Sequence, residues 1–314
     1  MVAIFGFCDI RQFTDTTEVL QEGVMEFVNT IGKIVHVETH LHGGSANKNV
    51  GDAFLLVWKF PADVSLEDVE RPEFAPPERR AAVARVCEGA LASFVAIIAG
   101  LRRSAKLNAY SNDARLAARM PDFEVKMGFG LHVGWAIEGA IGSELKIDAT
   151  YLSPHVEMSD RLEASSKIFL AKLNVSHWLH NLASPGLKKY TRPIAYIRAE
   201  GVTCPFTVWT YDVMYNKIGF GKPTSTINPK TKKQDLTDWT HPEYTEIQEG
   251  LHPEFIETWL KAYSAFVEGD WPAARRTFDA GRRLKPDDGP TLYLLGFMDA
   301  NNDTLPENLS LIHI

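Results

Sequence analysis

Residues 2–8, Val2-Ala3-Ile4-Phe5-Gly6-Phe7-Cys8, carry no charge, which predicts a short buried strand. From Thr16 to about Leu41, the apolar residues Leu20, Val24, Phe27, Val28, Ile31, Ile34 and Val35 recur at helical spacing. Gly43-Gly44 then stops the helix. Residues 47–58 read as a hairpin, with Val50 and Phe54-Leu55-Leu56-Val57 flanking Gly51-Asp52. The acidic stretch 61–77 carries four prolines and predicts a solvated loop. A long amphipathic helix follows over about 78–106, with Val83, Leu91, Phe94, Val95, Ile98 and Leu101 on one side.

Alternation over 123–133 predicts another strand, and 134–142 a glycine-punctuated strand or turn. Helices are expected over 154–166 and 175–184, then strands near 193–199 and 205–213. Two strand–helix–strand halves, each with a hairpin, predict an α+β, ferredoxin-like βαββαβ core: a mixed sheet with helices on one face. Residues 216–250 have the Lys, Thr, Pro, Asp and Gly composition of a linker. Helical patterns return at 255–268, 271–284 and 291–298. Tyr263, Phe266, Gly269-Asp270-Trp271, Ala274, Phe278, Leu284 and Pro286 resemble one tetratricopeptide-type hairpin, although a plain helical tail explains the pattern equally well. A single repeat cannot bury its own apolar face, so it should pack on the first domain or on a partner. The expected organisation is a domain over 1–215, a linker over 216–250, a helical hairpin tail over 251–301 and a disordered end over 302–314.

Of the 314 residues, 45% are hydrophobic and 23% charged, the balance of a chain with a sizeable core. A net charge of −7 argues against a broad nucleic-acid surface, which needs clustered cations. Cys8, Cys87 and Cys204 are too few and too scattered for a disulfide framework or a cysteine zinc site. A reducing compartment fits, so a cytoplasmic location is expected, for this chain alone or as the cytosolic part of a larger membrane-anchored protein. The longest apolar run, 90–101, is broken by Ser93 and Gly100 and falls short of the ~20 residues of a spanning helix, so no membrane span is expected. No basic leader precedes the first strand, so no signal peptide is expected. A core strand at the very start and the odd closing Leu-Ser-Leu-Ile-His-Ile lead us to expect a piece of a longer protein.

Candidate chemistry begins at Phe7-Cys8-Asp9-Ile10-Arg11-Gln12-Phe13-Thr14. A carboxylate closing a buried strand could hold a divalent cation, and the following helix start offers free N–H groups to a phosphate. An Asp in that position is far more often a helix cap. The second run is Lys48-Asn49-Val50-Gly51-Asp52-Ala53-Phe54, where Gly-Asp is a hairpin signal in its own right. If that strand pairs beside Asp9, two carboxylates come within reach of one metal pair, a known device for phosphoryl transfer. Magnesium suits such a site, because it takes few protein carboxylates and borrows substrate phosphate oxygens.

Asp9-Ile10-x-x-Phe13-Thr14, a helix ending in Gly-Gly, then Lys48-x-x-Gly51-Asp52-Ala53-Phe54 together resemble the catalytic domain of class III nucleotidyl cyclases. The similarity continues through Gly128-Phe129-Gly130-Leu131-His132-Val133-Gly134 and Gly139-Ala140-Ile141-Gly142-Ser143-Glu144. It ends in Tyr151-Leu152-Ser153-Pro154-His155-Val156-Glu157-Met158-Ser159-Asp160-Arg161-Leu162-Glu163, spanning roughly residues 2–213 in all. The Tyr-Leu-Ser-Pro form resembles cyclases of microbial eukaryotes, and the helical tail is similar to extensions on some members.

The resemblance implies that Asp9, the Ile10 carbonyl and Asp52 bind two Mg²⁺ or Mn²⁺ ions. One ion would acidify the ribose 3′-hydroxyl, and the other would hold the β- and γ-phosphates of ATP. The 3′-oxygen would then displace pyrophosphate from the α-phosphorus. Backbone N–H groups near Phe13 and Thr14 would cradle phosphates, and Arg161 would neutralise charge growing in the transition state. In this family the site lies between two catalytic domains, which implies a homodimer, or a heterodimer with a related chain. Lys48 falls at the base-reading position, where lysine donates to adenine N1 and guanylate cyclases usually carry Glu. Thr150 falls at the partner position and would accept from the adenine amino group. The plainer readings are a solvated strand-end charge for Lys48 and a good strand former for Thr150.

Three departures bear on activity. Glu157 stands where the family has a ribose-orienting Asn, and His155 stands where this subtype often has Asn. Ala199-Glu200-Gly201-Val202 replaces an expected lysine. A carboxylate about 4 Å from a phosphate costs up to ~4 kcal/mol at an effective dielectric near 20. Half of that slows a reaction roughly thirtyfold. The leading expectation is an adenylate cyclase, with Glu157 placed beside Arg161 in the catalytic group. Its competitors are a degenerate nucleotide-binding or dimerisation module with little turnover, and a guanylate cyclase. Elsewhere, His132 reads as a satisfied core histidine, His155 as a helix cap, the acids at 63–70 as solvated, and Cys8 as packing.

Overall fold

The uncharged opening run forms β1 (Val2–Ile10), and its alternate side chains enter two different cores. Ile4, Cys8 and Ile10 face one, while Ala3 and Phe5 face the other. A strand buried on both faces must also be paired on both edges. In the computed structural model, which describes residues 1–214, 237–304 and 312–313, β1 lies between two antiparallel neighbours. These are β3 (Ala53–Lys59) and β4 (Met127–Trp135). The hairpin partner β2 (Ser45–Val50) completes the order β4-β1-β3-β2. Helices α2 (Val24–Leu41) and α3 (Pro77–Arg103) make the crossovers, as the ferredoxin-like expectation requires.

The sheet extends past β4 through β7 (Leu173–Ser176), β9 (Phe206–Tyr211) and β8 (Thr191–Arg198). The β4–β7 pair is parallel and β7–β9 and β9–β8 are antiparallel, so the sheet is mixed. A separate hairpin, β5 (Ile137–Ser143) with β6 (Lys146–Leu152), projects beyond β4.

Several local expectations change. The helix expected over 16–41 is two helices, α1 (Phe13–Leu20) and α2, because Gln21 adopts a φ of 51° and a 3-10 turn fills 21–23. The helix expected over 175–184 starts only at His177, because 175–176 belong to the strand 173–176, whose Leu173 and Val175 are buried between β4 and β9. The acidic loop holds a short helix, Leu66–Glu70, with Ser65 and Asp68 in a reciprocal capping box and Arg79 3.2 Å from Asp68.

Helices also cover both faces of the sheet, not one. The second face carries α4 (Pro154–Phe169), which packs directly on the β4 backbone. A Cβ at Gly130 would collide with the backbone of Ser159 and Glu163, and one at Gly134 would enter the His155 ring. The glycines of that strand are therefore the seat of the helix. On the first face, α3 is long and apolar enough by composition to cross a membrane, yet most of it is buried beneath the sheet. Phe94, for example, packs edge-on against Trp58 and tilted against Phe129.

Part of the expected linker belongs to this core. Trp239, Tyr244 and Ile247 are buried in it, and the Tyr211 hydroxyl donates to the Tyr244 carbonyl at 3.0 Å. Residues 216–236 lie outside the described residues. The tail comprises α5 (Pro253–Glu268), α6 (Trp271–Leu284) and α7 (Gly289–Ala300), packed on β8, β9 and α4. Its apolar face is thus covered by the first domain. Arg192 of β8 is 1% exposed and joins the two. It contacts Asp212 at 2.7 Å and Asp288, the cap of α7, at 2.6 Å, under the Trp259 ring. Of the end expected to be disordered, residues 305–311 and 314 lie outside the described residues, while Ile312–His313 pair in parallel with β8.

His180 gives this fold a pH signature. Its ring stacks on Trp209 with centroids 3.6 Å apart, and burial pushes its pKa from 6.5 down to about 3. The unfolded chain takes up this proton near pH 6.5 and the folded chain does not until about pH 3. Between those limits the contribution to stability falls with acidification, by up to about 1.4 kcal/mol per pH unit. Urea midpoints at pH 7 and pH 5 should therefore diverge more for the wild type than for His180→Phe.

Candidate functional site

Register brings the two acids together. Asp9 pairs with Ala53, the neighbour of Asp52, and the Ile10 N–H donates to the Asp52 carbonyl at 3.4 Å. Their carboxylates lie close enough for the charge of one to act on the other. Burial first, and the Asp52 charge second, lift Asp9 to about 6, against the opposing pull of Lys167 and Arg11. Two acids pressed together in a half-buried notch are short of positive charge, which is the electrostatic condition of a divalent-cation site. Among the described residues no cluster of three or more His, Cys, Asp or Glu side chains offers a cage. Asp9, Asp52 and the Ile10 carbonyl therefore fit a metal pair that takes its remaining oxygens from water and a phosphate chain.

A second ring of charge, which sequence reasoning missed, surrounds Asp9. Arg11 lies 3.5 Å from Asp9 and 2.7 Å from Glu163, and it also donates to Ser166. Lys167 stands 3.8 Å from Asp9. Burial raises Glu163 to about 7, with Arg11 pulling it down. Glu163 and Lys167 sit one helical turn apart on α4, a spacing that could have marked them as one face. Phe13 and Thr14 open α1, whose cap Gln12 is left-handed and supplies no side-chain bond. Those first N–H groups are of the kind that bind phosphate.

The other predicted residues form a second group. Lys48 Nζ donates to Thr150 Oγ1 at 3.0 Å, across 102 residues of sequence. Arg161 is held by Glu157 at 2.6 Å, by the Glu200 carboxylate at 3.5 Å and by the Glu200 carbonyl at 3.1 Å. The Glu200 contact was not foreseen. Ser153, not His155, caps α4, accepting from the His155 N–H at 3.0 Å. His132 is not fully satisfied: Nε2 meets His155 Nδ1 at 2.8 Å, while Nδ1 has no partner among the described residues. Cys8 is buried packing, as expected.

The fold that carries these residues has counterparts among known proteins. No protein-family profile matches the chain. "Adenylate cyclase, terminal-differentiation specific" from Dictyostelium discoideum is 26% identical over 179 residues, which are 56% of this chain and 7% of that protein. A bacterial light-regulated adenylyl cyclase superposes with a TM-score of 0.50 at 21% identity, covering 68% of this chain and 51% of that one. The fold is that of a class III nucleotidyl cyclase catalytic domain. The guanylyl cyclase Cya2 also matches, at 23% identity over 71% of this chain and 94% of that one, with a TM-score of 0.48. The chain spans a small fraction of the Dictyostelium cyclase and about half of the light-regulated one.

Proposed function

We propose that this chain is the catalytic domain of an adenylate cyclase, converting ATP to 3′,5′-cyclic AMP and pyrophosphate at a dimer interface. The closeness of Asp9 and Asp52 at adjoining strand tips carries the reading. Bound there, Mg²⁺ or Mn²⁺ would supply the positive charge that favours a 3′-alkoxide and steadies the triphosphate. The chain's own part is to hold both carboxylates on a rigid central strand and its turn. The N–H groups of Phe13 and Thr14 would bind phosphate oxygens. Lys48 would donate to adenine N1 and Thr150 would accept from the amino group, and their 3.0 Å contact gives both the reach to share one base. Arg161 would face the charge that grows on the phosphate, where a guanidinium fork acts most strongly.

A dimer is supported by the β5–β6 hairpin. Ile137, Leu145 and Ile147 are 62%, 98% and 70% exposed on it, an apolar arm that a second cyclase domain, identical or related, would cover.

With Mn²⁺, the purified chain should make cyclic AMP from ATP and much less cyclic GMP from GTP. Product from GTP alone would overturn the base assignment, and no product from either would overturn the enzyme reading. One observation favours the second reading, a nucleotide-binding or dimerisation module with little turnover: Glu157 and Glu200 both hold Arg161. Glu157→Asn should then raise turnover by about tenfold, the equivalent of about 1.4 kcal/mol of lost repulsion. A steady-state assay at saturating ATP checks this.

A further inference from the structure

A cavity of about 330 Å³ opens beside Arg161, and neither Asp9, Asp52, Lys48 nor Thr150 lines it. That volume lies at the small end of ligand pockets, which run from roughly 300 to 1,000 Å³. Its apolar walls come from Leu66, Val69, Val133, Met158, Trp178 and Val202. The charged groups are Glu70, Glu157 and Glu200 against Arg161 alone, an excess of negative charge. His132 and His155, also in the wall, do not offset it, because burial lowers the pKa of both rings. His132 is 3% exposed, and its Nδ1 has no partner among the described residues.

We propose that this cavity binds a small organic cation, an ammonium group on an aryl or alkyl body, which takes Glu157 and Glu200 away from Arg161. The body lies against Leu66, Val69, Met158 and Trp178. The ammonium meets the glutamates at the mouth. With its two carboxylate partners engaged elsewhere, Arg161 keeps only the Glu200 carbonyl contact and can turn toward a triphosphate. The binding stands on the cavity alone, whereas its effect on turnover rests on the cyclase reading given above.

Titration calorimetry of the full chain with 2-phenylethylammonium, 2-phenylethanol and 3-phenylpropionate separates charge from shape. The ammonium should bind at one site, about tenfold or more tighter than the carboxylate, a gap of about 1.4 kcal/mol. Val202→Trp, at a half-buried loop position, should fill the cavity and abolish binding without altering the melting temperature. Glu157→Gln combined with Glu200→Gln should weaken the ammonium selectively. Absence of saturable binding, equal affinity for all three probes, or wild-type binding by Val202→Trp would each overturn the assignment. In the cyclase assay, saturating ammonium should raise wild-type turnover. Unchanged turnover would remove the claim on Arg161. Binding without turnover under any condition would instead sink the enzyme reading and leave the cavity assignment standing.

Discussion

Asp9→Ala should lower cyclic AMP formation by about a thousandfold, the equivalent of about 4 kcal/mol of lost transition-state stabilisation. Folding should not suffer. Burial and Asp52 raise the Asp9 pKa to about 6 from 3.8, so its ionised form is disfavoured in the folded chain. That penalty is absent below about pH 3.8, grows as pH rises through about 6, and is fully present at neutral pH. Alanine removes it, so the variant should unfold in urea at or above the wild-type midpoint. Loss of activity with stability retained is the pattern of a residue placed for chemistry at the expense of folding. Wild-type activity in the variant would remove Asp9 from the mechanism. A lowered midpoint would mean that its ion pairs with Arg11 and Lys167 outweigh its burial.

Arg192→Met should destabilise the chain by about 3–5 kcal/mol, the usual cost of leaving a buried ion without its partner. The guanidinium makes four contacts with Asp212 and Asp288, and the Asp288 side chain is 2% exposed. Removing the cation strands both carboxylates in a region walled by Trp259 and Phe255. Adding Asp288→Asn to Arg192→Met should recover part of the loss, because the amide can still cap α7 without a buried charge. Chemical denaturation of wild type, both single variants and the double variant measures this coupling directly. Additive losses would show that the pair is not energetically linked.

The ferredoxin-like core was legible because β1 and β3 are largely apolar runs and its long helices keep a regular period. What the pattern hid was non-local. Val175 fell inside the helix expected over 175–184. It becomes strand because β4 and β9 flank it. The interruption at Gln21 depends on one backbone angle, which no apolar spacing encodes. At the site, Asp9 and Asp52 were readable as the ends of two strand signals. Arg11, Glu163 and Lys167 were not, since three glycines in β4 first have to let α4 descend onto the sheet. Lys48 and Thr150 were paired by family resemblance, and their 3.0 Å contact supplies a physical reason for that pairing. Glu200 looked like a missing lysine, whereas its carbonyl and carboxylate both reach Arg161.

The lock at Arg192 also sets where the chain can be cut. Ending it at residue 215, where the catalytic motifs stop, would strip α5–α7 from β8 and leave the Pro193 carbonyl without the Trp259 indole donor. The same cut would uncover Tyr211 by removing Trp239 and Tyr244. The smallest fragment with a sealed interior therefore extends through Ala300, about eighty-five residues past that cut.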